Sequence, residues 1–240
     1  MTAIALAAHA LVHFRQKPPP PAAPMRFQIA LPEKISFVPW LSLSPDGRHL
    51  AFTAVGQEAH GQLWVRDLDS LVSRRKVNLF PVWSPDGSRI AFFSPREGTS
   101  SVYQKAVSGM GQAEAFENAQ GPGMAPLDWS RDGRYLIEGA WAATFSIWML
   151  PLSPEKSGGQ RKPVPYLNDR FNEINARLSP NGQWIAYDSD ETGHDEIFVQ
   201  TFPKPGGKWQ VSANGGTRPV WSRDGTRPLR ARTHPIVAKP

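Results

Sequence analysis

No cysteine occurs in the 240 residues. That excludes disulfides, thiolate metal sites and a cysteine nucleophile at once, and it is compatible with either the cytosol or a bacterial envelope. Apolar runs of membrane length are missing as well. The stretch TAIALAAHALVHF (2–14) is interrupted by His9 and His13, and it falls short of the roughly twenty residues that a helical span needs. No basic residue precedes it, as a secretory signal would require. Arg15 and Lys17 follow, then Pro18 to Pro21, so residues 1–17 read as the remnant of a membrane helix or as an apolar amino-terminal segment. Residues 18–25 read as a stiff Pro-rich linker.

A basic face is also missing. Lys and Arg number 27 against 21 Asp and Glu, a net charge of +6, but much of the excess sits at the ends. Arg15, Lys17 and Arg26 flank the start, and Arg227, Arg230, Arg232 and Lys239 lie near the finish. A nucleic-acid footprint gathers its cations on one surface, so no nucleic-acid partner is expected.

The usual motifs of catalysis are lacking too. There is no G-x-S-x-G elbow, no HRD-like loop and no DFG. Gly109-Met110-Gly111 begins a G-x-G, but Glu114 stands where a third glycine would be. The acidic run DSDETGHDEIFV (188–199) mimics the first positions of a calcium loop, yet Val199 occupies the place of the bidentate Glu. No cofactor and no metal site are expected.

What the chain does have is 24 Pro, 20 Gly, nine Trp and twelve Phe, the composition of a turn-rich, all-β protein. It also has a repeated phrase. LSLSPDGRHLAFTA (41–54), PVWSPDGSRIAFFS (81–94), LDWSRDGRYLIEGA (127–140), ARLSPNGQWIAYDS (176–189) and PVWSRDGTRPLRAR (219–232) place an Asp/Asn-Gly pair at 46, 86, 132, 181 and 224, intervals of 40, 46, 49 and 43 residues. Periods of this size mark propeller blades of four antiparallel strands. The residues Asp46, Gly47, Asp86, Gly87, Asp132, Gly133, Asn181, Gly182, Asp224 and Gly225 are hairpin-turn formers, because Asp and Asn suit the tight turn and Gly accepts a left-handed backbone.

The strand after each turn, such as IAFF at 90–93, is apolar on both sides, as expected when neighbouring blades cover both faces. Third strands follow in QLWVRDL (62–68), SVYQKAV (101–107), FSIWMLPL (145–152) and EIFVQTF (196–202). Fourth strands are expected in KVNLF (76–80), AEAFE (113–117), PVPYL (163–167) and WQVSA (209–213). After Gly225 the pattern fails, since Pro228, Arg230 and Arg232 stand where apolar strand residues belong. Residues 226–240 therefore read as an irregular basic tail, after a propeller spanning 26–225.

These phrases resemble the TolB-type, WD-like propeller repeats of bacteria. RFQIALPEK (26–34), LSLSPDGRHLAFTA (41–54) and the stretch 190–216 further resemble the sensor propeller of membrane serine/threonine protein kinases. The resemblance covers about residues 3–225. It implies an all-β, TolB-like propeller with four complete four-stranded blades and a partial fifth, where the family has about six. It also implies an extracytoplasmic, periplasmic or membrane-attached setting, with attachment through the apolar segment in full-length relatives. RFQIAL (26–31) is expected to pair with the last blade and close the ring, and an open ring would invite self-association.

In antiparallel blades alternate turns lie at opposite ends. The Ser-Pro-Asp-Gly turns then share one face of the disc. The other collects Glu58, His60, Arg96, Glu97, Asp190, Glu191, His194 and Asp195. Propellers tend to bind partners on such loops, so this is the expected binding face, for a protein or a small ligand. Three functions are consistent with this pattern: a non-catalytic sensor module from a membrane kinase, a prolyl-oligopeptidase-like accessory propeller without its hydrolase, and a free-standing periplasmic scaffold.

Overall fold

A computed structural model describes residues 35–56, 61–68, 79–96, 99–108, 111–116, 124–152, 162–222 and 228–231. These residues form seventeen strands and no helix. Blade one comprises β1 (Ile35–Leu43), β2 (His49–Gly56) and β3 (Gly61–Asp67). Blade two comprises β4 (Leu79–Trp83), β5 (Arg89–Arg96), β6 (Thr99–Ala106) and β7 (Glu114–Ala115). Blade three holds β8 (Met124–Trp129), β9 (Tyr135–Trp141), β10 (Phe145–Pro151) and β11 (Val164–Leu167). Blade four holds β12 (Glu173–Leu178), β13 (Trp184–Ser189), β14 (Glu196–Thr201) and β15 (Lys208–Gln210). Blade five contributes β16 (Thr217–Trp221) and β17 (Pro228–Ala231). All pairings are antiparallel, between strands consecutive in sequence.

The repeated turn is a closed hydrogen-bond unit. In blade three the Gly133 amide donates to the Ser130 carbonyl at 2.8 Å and the Tyr135 amide to Ser130 Oγ at 2.9 Å. The Arg134 amide donates to Asp132 Oδ1 at 3.0 Å, and Ser130 Oγ donates to the same oxygen at 2.7 Å. Blades one, two and four repeat these bonds, with Asn181 in place of Asp. Gly47, Gly87, Gly133 and Gly182 take φ of +68° to +73°, the left-handed region that costs glycine nothing. None of these bonds uses the amide of the residue after the serine, so Pro and Arg131 are both accommodated there.

Buried strands fill the seams between blades. Ala91 and Val102 of blade two meet Leu136 and Leu150 of blade three. Ile137 and Ile147 of blade three meet Ile185, Tyr187 and Phe198 of blade four. Apolar residues on both faces of the second strand are thus explained by two covered faces.

β1, β4, β8, β12 and β16 all line a cavity of about 550 Å³ at the turn end, the central channel. Each of them carries a register shift. Phe80, Asn175 and Arg218, all six residues before the turn Asp/Asn, hold positive φ of 53° to 55° within it. Bulges of this kind bend a strand and strengthen its twist. Tryptophans then tie blade to blade: Trp83 Nε1 donates to the Ser42 carbonyl and Trp221 Nε1 to the Arg177 carbonyl, both at 2.9 Å.

Two expectations are corrected. Leu79 and Phe80, read as the end of blade one's fourth strand, open blade two instead, because Leu79 pairs with Phe93; residues 76–78 lie outside the described residues. The segment 228–231, read as irregular, is a strand: Val220 pairs with Leu229 and Trp221 with Pro228. Pro228 opens that strand, the position where a missing donor is tolerated. The apolar segment 1–17, the linker 18–25, RFQIAL (26–31), Asp224 and Gly225 lie outside the described residues.

Candidate functional site

The loop after β13, at the end opposite the repeated turns, carries Asp190, Glu191, His194 and Asp195. It is held from three directions. Asp190 accepts the Asn172 amide at 2.9 Å and Asn172 Nδ2 at 2.6 Å, and these bonds hold its carboxyl below the usual range. Glu191 takes the ammonium of Lys208, whose Nζ lies 4.7 Å from the Phe198 ring centroid. The exposed His194 places Nε2 2.8 Å from Oε1 of Glu196. Glu58, His60 and Glu97 lie outside the described residues, while Arg96 ends β5 by pairing with Thr99.

Under this loop are three buried carboxyls that sequence reasoning did not single out. Glu196 has no exposed surface; Ser212 Oγ and the Gly215 amide donate to it besides His194. The Ser212 bond leads in keeping its carboxyl low and ionised. Asp188, also without exposed surface, accepts Asn175 Nδ2 at 2.7 Å and the Arg218 amide at 2.8 and 3.0 Å. It therefore pins the bulge of blade five to blade four, while burial pushes its carboxyl up to about 6. Glu173 begins the innermost strand of its blade, is 1% exposed, and has no hydrogen-bond partner among the described residues on either carboxylate oxygen. Burial, with Asp169 and Glu191 close by, raises it to about 8. The signal for Asp188 and Glu196 was legible in outline: each places an acid in a strand otherwise covered on both faces (WIAYDS, EIFVQT), which demands a partner.

The trio His194, Glu196 and Ser212 contains the residue types of a hydrolytic triad in an unproductive order. The glutamate stands between the other two, and Ser212 Oγ spends its hydrogen on Glu196 while accepting the Ile197 amide at 2.8 Å. A nucleophilic serine must instead give its proton to the imidazole. This arrangement orders two loops.

No protein-family model matches the chain. Among curated proteins it is 28% identical over 159 residues to the uncharacterized peptidase YuxL of Bacillus subtilis, covering 64% of this chain and 22% of YuxL. Among solved structures it superposes on TolB from Acinetobacter baumannii with a TM-score of 0.63 and 17% identity, over 79% of this chain and 47% of that one. Prolyl oligopeptidase B from Galerina marginata matches with a TM-score of 0.53 and 14% identity, over 76% of this chain and 30% of that one. The chain thus spans under a quarter of its curated relative and about half of the Acinetobacter TolB. The sheet order, the central channel and these superpositions together identify the fold as that of the TolB-like β-propellers.

Proposed function

We propose that the chain is a non-catalytic binding module that recognises its partner through the face carrying the Asp190–Asp195 loop, and that it is the extracytoplasmic sensor part of a membrane serine/threonine kinase. The observation that carries the binding reading is Glu196, a fully buried carboxylate that ties His194 to the 212–215 segment. A buried charge is costly unless it is paired, and here the pairing produces a preformed loop surface with His194 exposed. Preformed polar loops on a rigid β scaffold are the usual setting for recognition.

The kinase assignment rests on the resemblance of residues 26–34, 41–54 and 190–216 to kinase-linked propellers. The similarity to YuxL favours a second reading, the propeller of a serine peptidase.

Coding DNA on either side of these 240 residues separates the two readings. A kinase domain upstream supports the first, and a G-x-S-x-G hydrolase downstream supports the second. The purified chain should neither incorporate label from γ-labelled ATP nor cleave an acyl-peptide p-nitroanilide. Turnover in either assay would overturn the non-catalytic reading.

A further inference from the structure

A groove of about 780 Å³ opens at the repeated-turn end between blades two and three, a volume within the usual range of small-molecule sites. Three departures from the blade repeat meet there. Three residues after the turn Asp or Asn, blades one, three and four carry a ring (His49, Tyr135, Trp184), and blade two carries Arg89. The His49 ring lies 5.9 Å from Trp83 in the first seam, whereas Arg89 turns outward to Glu114 at 3.4 Å. The turn proline present at 45, 85 and 180 is replaced by Arg131 here, as it is by Arg223 in the fifth copy of the phrase. Finally, Trp83 and Trp221 donate their indole hydrogens to the preceding blade, while Nε1 of the equivalent Trp129 is buried without a partner among the described residues.

From these departures we infer that the groove between blades two and three binds a small monocarboxylate with an aromatic or branched apolar body. The inference is independent of the reading of the opposite face. Phe116, edge-to-face with Trp129 at 5.5 Å, and Leu152 form the apolar wall. Arg131 makes no hydrogen bond or ion pair among the described residues; the charge it is shown to act on is the buried Asp128, which is occupied by the Leu178 and Trp129 amides. A planar guanidinium matches a carboxylate with two parallel bonds, and the Trp129 indole supplies the further donor that other blades spend internally.

The acids at the groove are already engaged. Asp86 is held by Ser84 and Ser88, Asp132 by Ser130 and Arg134, and Glu114 by Arg89. Arg89 is spent on Glu114, so Arg131 is the uncommitted cation among the described lining residues, and its single charge matches one carboxylate.

The test is nitrogen–proton NMR of the indole groups, with the Trp129 signal assigned through Trp129→Phe. N-acetylphenylalanine, its amide and sulfate serve as probes. Only the acid should shift the Trp129 indole signal. Arg131→Pro, which restores the turn of blades one, two and four, should weaken binding of the acid by about tenfold. The inference is overturned if no probe moves that signal, if the amide or sulfate moves it equally, or if Arg131→Pro binds the acid as the parent does.

Discussion

Glu173 and Gly133 show how single residues load this fold in opposite ways. Glu173 is buried with both oxygens unpartnered and is raised to about 8 from an ordinary value of 4.5. Between those values the native state holds a proton that the unfolded chain releases, so stability falls as pH rises through that window. Replacing Glu173 by Gln removes the titration. The variant should gain on the order of 2 kcal/mol over the parent at pH 9 and little at pH 4, and thermal melts at the two pH values would show it. An equal response at both would refute the assignment. Asp188, raised to about 6, adds the same sign over a narrower window. Asp86 acts oppositely: the Ser84 and Ser88 bonds lower it to about 2, so its stabilisation is present above the ordinary carboxylate range and is lost as pH falls through about 2. Gly133 holds φ at +73°, and a Cβ there would meet nothing within 4 Å. Gly133→Ala should therefore cost about 1 kcal/mol from backbone conformation alone, measurable by urea unfolding with an unchanged slope.

At the scale of strands and blades, the innermost strands carry the joints. Trp83 and Trp129 occupy the same repeat position, yet only Trp83 donates its indole hydrogen across a seam. Trp83→Phe should cost about 1 kcal/mol more than Trp129→Phe, because it strands the Ser42 carbonyl; equal losses would mean that the bond contributes nothing. The bulges are the second joint. Arg218 holds a positive φ and gives its amide to Asp188. The bond reaches across a seam, so it depends on an acid in one blade and a bulge in the next.

Across the whole molecule, the named seams join consecutive blades, which makes stability close to a sum over neighbours. Blade five has two described strands, and its Val220 is 52% exposed. Its β16 amides should exchange with solvent at least about tenfold faster than those of β9 or β13. Asp188→Ala should release the Arg218 amide further and leave β9 unchanged. Uniform exchange across all blades would show a single cooperative unit. Leu41 and Leu43, both 51% exposed on β1, carry apolar surface on the first blade, Leu43 at the central channel.

Local chemistry, repeated, was enough to read the blades. Ser-x-Asp/Asn-Gly closes its own hydrogen bonds within six residues, so its position marks a hairpin wherever it occurs, and doubly apolar strands beside it require covered faces. For the same reason the second and third strands of blades one to four were legible. Fourth strands are short and exposed, as in β7 and β15, and Leu79 and Phe80 were misassigned because an apolar pair suits either side of a blade boundary. The strand at 228–231 was missed because charge and proline are tolerated in a strand that opens with the proline.

What only the tertiary structure decided is which polar residues meet. Glu196 reaches His194 and Ser212, Asp188 reaches Arg218, and Trp129 is left without an acceptor among the described residues. Those contacts join residues up to thirty positions apart through bulges and seams, and the physical reason is that burial, not local propensity, sets whether a charge or an indole hydrogen finds its partner.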